Sequence, residues 1–453
     1  MTRKNLNEYL IYKLSDEMKS CTRMDAELFK KLDVKRGLRN EDGTGVLVGL
    51  TNIGNVVGYD RLDDGTIVPI EGRLYFRGYE VKDLVHAIMK EKRFGYEEIC
   101  FLLLSGRLPD AEELQAFKDL IFDNMPLEQK TILHIIELEG DDIMNILARS
   151  VMEFYTFDEN PDDVSRDNLM RQSIELISKF PTTIAYAFNM YRHSHHGRSL
   201  HIRDAQPGLS LAENFLYLLK GSDFTELDAR TLDLLLILHS EHGGGNNSTF
   251  TVRVTSSTGT DTFSSIAAGI GSLKGPKHGG ANLKVCDMIE FMKKDISDWT
   301  DEEEIAACCR RMLAGEAFDG SGLIYGIGHA VYTKSDPRAV LLKEMARDLA
   351  IEKGRLAELE FMERIEKVAI KTFYEVKGEG IKVLCANVDF YSGFVYDLIG
   401  IPREIYTPLF AMARIVGWCA HRNEELNFEG RRIIRPAYKC ITSEEKYIPL
   451  KKR

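Results

Sequence analysis

Eight cysteines are spread over 453 residues, at 21, 100, 286, 308, 309, 385, 419 and 440, with no CxxC pair and no spacing that resembles a zinc module. They read as reduced thiols. Adjacent Cys308 and Cys309 sit in the helical-looking EEEIAACCRRML, where they point to different faces and are expected to be buried and structural. No stretch approaches the roughly 20 apolar residues of a membrane span, and the opening MTRKNLNEYLIYKLSDEMKS has no apolar core before a small-residue cleavage site, so the expected location is the cytoplasm. Positive charge is in deficit: 59 Lys and Arg against 70 Asp and Glu leave a net charge of -11, which argues against a general nucleic-acid or anionic-membrane binder. No repeat of roughly 20 to 50 residues occurs, and no low-complexity linker marks a domain boundary.

What is present suits a soluble small-molecule enzyme or a protein-binding module. The length allows two or three domains, and 44% hydrophobic residues can fill their cores. Helical periodicity dominates in YEEICFLLLSGRLP, AEELQAFKDLIFDNM, AENFLYLLKG and RTLDLLLILHSEH, each ending near Gly or Pro, so the fold is predicted to be mainly α. The one candidate for strands is the glycine-punctuated stretch from Gly45 to Gly78, a small N-terminal β element. Residues 191 to 208 and 243 to 245 read as loops.

Four segments could carry chemistry. In ILHSEHGGGNNSTFT a buried helix delivers His239, Glu241 and His242 at its C-terminal end; the two histidines can share a helical face, but no third metal ligand follows, and a structural histidine is the plainer reading of either. In DTFSSIAAGIGSLKGPKHGGAN, Ala267, Ala268, Gly269 and Gly271 form a small-residue helix face, Gly275 and Pro276 end that helix, and His278 precedes a second helix beginning at Ala281. A histidine at a helix N-terminus favours its neutral form, which can donate to a carbonyl oxygen that is becoming an enolate. The Gly269-x-Gly271 pair does not meet the dinucleotide fingerprint, since no strand precedes it. In YGIGHAVYTKSDPRA, His329 and Arg338 together suit a keto acid, the first polarising a carbonyl and the second gripping a carboxylate, although an arginine after an Asp-Pro turn is common on surfaces. In VLCANVDFYSG and PLFAMARIVGWCAH, Asp389 is a candidate base and Arg414 a candidate carboxylate clamp, unless they merely neutralise each other; Arg435 in RRIIRPAYK is a further candidate.

Taken together and in this order, HSEHGGGNNST, LKGPKHGGAN, GIGHAVYTKSDPR, NVDFYSG, PLFAMARIVGWCAH and IIRP resemble the citrate synthase family, as do GRLYFRGYEVKDL and FGYEEICFLLLSGRLP upstream. The likeness runs from about residue 45 to about 440. It implies a two-domain helical homodimer, with 1–280 plus 401–453 as the large domain and 281–400 as a small mobile domain closing over the site. It implies Asp389 as the base that takes a methyl proton from acetyl-CoA, His278 as donor to the thioester oxygen, and His329 as the group polarising oxaloacetate. His242, Arg338 and Arg414 would hold oxaloacetate, with Arg435 arriving from the other subunit. Acetyl-CoA is then a substrate and no cofactor is expected; the ligand spacing gives no metal, and the charge and the lack of an apolar span give no nucleic-acid or membrane partner. Lys277 and Thr333 depart from the common pattern at the CoA end, which leaves adjacent Lys334 as the CoA-phosphate candidate. The first 40 or so residues fit less well and are expected to form a helical arm. Within the family, 2-methylcitrate synthase, which uses propionyl-CoA, is the alternative; a non-catalytic dicarboxylate- or CoA-binding relative is the remoter one.

Overall fold

A computed structural model describes residues 3–40, 43–138, 140–378 and 383–453. The chain forms two compact units, Met1–Leu50 and Thr51–Arg453. The first contains the helix Arg3–Cys21, the short helix Glu27–Lys31, a 3-10 turn at Arg36–Leu38 and a bridge between Arg39 and Gly45.

Helices build nearly all of the second unit, as the 3.6-residue periodicity predicts. Tyr406–Asn427 lies at its centre and is buried over most of its length. Around it pack Tyr96–Ser105, Arg166–His196, Glu226–His239, Asn247–Ser256 and Thr262–Lys274. Close approach depends on small residues. A Cβ on Gly269 would lie 2.6 Å from Val252 Cγ2 and 3.5 Å from the Trp418 ring, and one on Gly417 would lie 2.3 Å from the Ser240 carbonyl oxygen. Gly271, in contrast, faces open space. Cys308 and Cys309 are both buried. No helix among the described residues is long and apolar enough to cross a membrane.

One expected loop is partly helical. Arg166–His196 continues through Tyr191–His196, because nothing in YRHSHH breaks a helix until Gly197 supplies the left-handed cap, with φ of 60°.

The predicted β element is an antiparallel meander of Gly54–Arg61, Ile67–Phe76 and Tyr79–Glu80, starting later than Gly45. Gly54 pairs with Phe76 and Arg61 with Ile67, with an irregularity between Val57 and Tyr59. Its use lies in its glycines. A Cβ on Gly58 would sit 2.3 Å from the Val331 carbonyl oxygen, and one on Gly72 would sit 2.2 Å from that of Ser335. The sheet is therefore a trough in which segment 331–335 lies. Thr333 Oγ1 donates to the carbonyls of Gly58 and Ile70, and the Gly72 amide donates to Ser335 Oγ at 3.1 Å.

Candidate active site

Four chain segments converge beside the Tyr406–Asn427 helix. The first is the end of Glu226–His239, a helix started by a capping box between Thr225 and Asp228 and buried along its apolar run. It ends before His242, so His239 and His242 do not share a helical face. His239 is structural in its contacts: Nδ1–H donates to the Leu235 carbonyl at 2.9 Å, its ring meets Phe410 edge-on, and burial pushes its pKa down to about 3. His242 lies past the helix end, buried, with Nε2 lacking a hydrogen-bond partner among the described residues. Its ring is 5.2 Å from that of His329. Burial first, then Arg338, hold His242 well below the usual histidine range.

His278 stands in the turn between Thr262–Lys274 and Ala281–Asp295. The free N–H that reaches its ring belongs to a third helix, Asn247–Ser256, rather than to the one that follows it. The Ser248 amide donates to His278 Nε2 at 3.4 Å, and Ser248 Oγ lies 3.0 Å from the same nitrogen. Trp418 Nε1–H fixes that hydroxyl at 3.2 Å. An amide can only donate, so the pattern assigns a lone pair to Nε2 and the ring proton to Nδ1. Burial, aided by Arg414, lowers the pKa to about 4, which keeps the ring neutral at physiological pH.

The third segment carries His329 and Arg338. Both the Val331 and the Tyr332 amides donate to His329 Nδ1 at 3.0 Å, so its proton sits on Nε2. Asp336 caps the helix Pro337–Glu352, and Arg338 is in the first turn of that helix, buried rather than on the surface. The Asp336 carboxylate accepts from Arg338 Nε at 3.1 Å, from Nη2 at 2.7 Å and from the Val388 amide at 3.2 Å. One carboxylate thus fixes the guanidinium and the backbone just before Asp389.

Asp389 opens the helix Asp389–Ile399, its amide donating to Asn387 Oδ1 at 3.0 Å. Burial pushes its carboxyl up to about 6, even though Arg338 and Arg414 both pull it down. The Asn387 side chain also donates to the Gly328 carbonyl at 2.9 Å, joining this segment to the His329 turn.

Arg414 is fully buried on the central helix. Its Nε donates to the His239 carbonyl at 2.6 Å, its guanidinium lies 4.9 Å from the centre of the Phe410 ring, and both Nη atoms are buried without a hydrogen-bond partner among the described residues. Burial lowers its pKa to about 10, with Glu241 opposing. Two buried, unmet guanidinium donors are costly unless a ligand completes them.

The structure brings together His242, His278, His329, Arg338, Asp389 and Arg414. Lys334 is exposed, whereas Thr333 is taken up by the sheet. Arg435 is exposed on the segment after the last long helix, where the Ile434 amide donates to Ser257 Oγ at 3.0 Å. Among the described residues no group of three or more His, Cys, Asp or Glu side chains is placed to hold a metal ion. Sequence reasoning passed over Ser248 and His421, gave Asp336 only a turn, and assigned Glu241 no role. Only Glu241, flanked by histidines at the end of an apolar run, carried a local signal; the roles of the others depend on partners far away in the chain.

Comparison with known proteins identifies the family and the fold. Residues 42–437 match the family model for the citrate synthase C-terminal domain. Citrate synthase of Acidithiobacillus ferridurans is 34% identical over 391 residues, 84% of this chain and 93% of that one. The 2-methylcitrate synthase of Shewanella oneidensis is 32% identical over 388 residues, 84% and 92% of the two chains. Among solved structures, the ternary complex of Thermoplasma acidophilum citrate synthase with carboxymethyl coenzyme A and oxaloacetate superimposes with a TM-score of 0.74 at 28% identity, covering 93% of this chain and 99% of that one.

Proposed function

The chain belongs to the citrate synthase family, and on that premise we propose that it condenses acetyl-CoA with oxaloacetate and hydrolyses the resulting citryl-CoA, with Asp389, His278 and His329 as its catalytic residues. The observation that carries this reading is the fixed protonation of the two histidines beside a carboxyl raised to about 6. A thioester methyl is a weak acid, so its proton leaves only if a base and a donor to the carbonyl oxygen act together. The Asp389 carboxylate takes the proton, and His278 Nδ1–H donates to the thioester oxygen as the C–H pair moves into the enol. The enol carbon attacks the keto carbon of oxaloacetate; the enol O–H returns its proton to His278 Nδ1 as the thioester C=O re-forms, and the keto oxygen, its π pair displaced, takes the proton of His329 Nε2–H to become the citryl hydroxyl. Water then cleaves the C–S bond of citryl-CoA, releasing citrate and CoA.

Arg338, Arg414 and His242 hold the oxaloacetate carboxylates, and the two empty Nη atoms of Arg414 support that role. Every proton moves between side chains and substrates, so no resident cofactor is needed. The working form is a homodimer of the cytoplasm, in which Arg435 of each protomer completes its partner's site. Residues 281–400 form the smaller domain, which closes on the rest and excludes water before condensation. Lys334, exposed at the mouth of the His329 segment, is the contact for CoA phosphate.

A relative named 2-methylcitrate synthase matches about as well as one named citrate synthase, and one methylene is worth only about 1–3 kcal/mol of discrimination. The test is CoA thiol release with acetyl-CoA and with propionyl-CoA, each with and without oxaloacetate. Faster oxaloacetate-dependent release from acetyl-CoA is expected. Faster release from propionyl-CoA would make the chain a 2-methylcitrate synthase, and none from either would leave a binding protein.

A further inference from the structure

Glu241 lies between His239 and His242 and is fully buried. Its Oε1 accepts from the Gly243 amide and from His421 Nε2–H at 2.9 Å. His421 is itself held, because Arg253 Nη1 donates to its Nδ1 at 2.8 Å, and Arg253 is anchored by Glu424 and Glu425, each at 2.9 Å. Two glycines make room for the carboxylate: a Cβ on Gly54 would lie 2.6 Å from Oε1, and one on Gly417 would lie 2.7 Å from Oε2. Oε2 has no partner.

Arg414 is a buried cation in need of compensation. Its Nη atoms are buried and empty, and no ion pair joins it to Glu241 among the described residues. Each group nevertheless favours the charge of the other. Both of the carboxylate's donors among the described residues meet Oε1, and neither belongs to Arg414. A direct pair would occupy the donors that a substrate carboxylate needs, while no counter-charge at all would leave a bare guanidinium in the core.

We propose that Glu241 is a positioning residue, a tethered counter-ion that offsets the buried charge of Arg414 while leaving its Nη donors open to a ligand carboxylate. The proposal rests on the reading that Arg414 binds oxaloacetate. It predicts what happens when the charge alone is removed. In Glu241→Gln the shape and one acceptor remain, so the uncompensated Arg414 recruits an inorganic anion instead.

The test uses the full-length protein in buffers with and without chloride. Substrate-free Glu241→Gln is expected to melt lower than wild type without chloride and to recover as chloride is added, whereas wild type and Glu241→Asp respond weakly. In turnover, chloride should compete with oxaloacetate in Glu241→Gln, with an inhibition constant lower than that of wild type by about tenfold or more, the usual effect of one nearby buried charge. The KM for acetyl-CoA should stay unchanged. A chloride response equal to that of wild type in both assays would overturn the proposal. Should Glu241→Gln fail to fold, adding Arg414→Leu is expected to restore folding; persistent misfolding would mean that Glu241 serves packing alone, which also overturns it. Wild type that releases no thiol would sink the functional reading, and the melting assay would still decide the counter-ion.

Discussion

A carboxyl raised to about 6 is a better base than an ordinary aspartate and is still ionised at neutral pH, which is what proton abstraction from a weak carbon acid needs. Protonation removes the base, so kcat is expected to fall as pH drops through about 6, a limb read from a pH–rate profile. His278, at about 4, should add none above that limb. Asp389→Asn should lower kcat by about 10²–10⁴-fold with little change in oxaloacetate binding, checked by calorimetry. The same variant should be more stable at high pH. The folded pKa of Asp389 lies above the ordinary value of 3.8, so its contribution to stability is full below that value and is lost as pH rises through 6. Removing the charge should therefore gain about 1–3 kcal/mol at pH 8 and much less at pH 4, measured by denaturant unfolding.

At the scale of elements, the small sheet acts as a seat for the His329 segment. Gly58 and Gly72 are glycine because backbone from 331–335 occupies the space a side chain would take. Gly72→Ala should push that segment off the sheet and displace His329, whose tautomer depends on the Val331 and Tyr332 amides. A shift of about 1 Å at a reacting group costs on the order of 10²-fold in rate, so kcat/KM should drop by about that factor while the far-ultraviolet circular dichroism spectrum stays unchanged. A variant with wild-type kcat/KM would show that the sheet does not position the site.

For the whole molecule, the decisive question is whether each site draws on two protomers. If Arg435 completes the partner's site, Asp389→Asn and Arg435→Leu homodimers should each be nearly inactive. Mixed under conditions that exchange subunits, they form a heterodimer with one intact site. Random exchange should then restore about a quarter of wild-type activity, since half of the dimers are hybrids and each has one working site of two. No recovery despite exchange would place Arg435 in its own protomer's site, and an active Arg435→Leu homodimer would place it outside the site altogether.

The helical class, the sheet near the N-terminus, the ends of the helices around Gly275 and Ala281, and the candidates His242, His278, His329, Arg338, Asp389 and Arg414 were legible in the chain itself. Periodicity, caps and breakers act over a few residues, and the six site motifs are local strings. The tertiary structure alone decided which nitrogen of each histidine carries the proton, since that depends on Ser248 for His278 and on the bend of the chain after His329. It also decided that Arg338 shares a carboxylate with the backbone before Asp389, and that the Glu241 carboxylate meets the helix of Arg414 at Gly417, although Glu241 and Arg414 are 173 positions apart in the sequence. Hydrogen bonding and burial are properties of where distant segments meet, and no local pattern of residue types encodes those meetings.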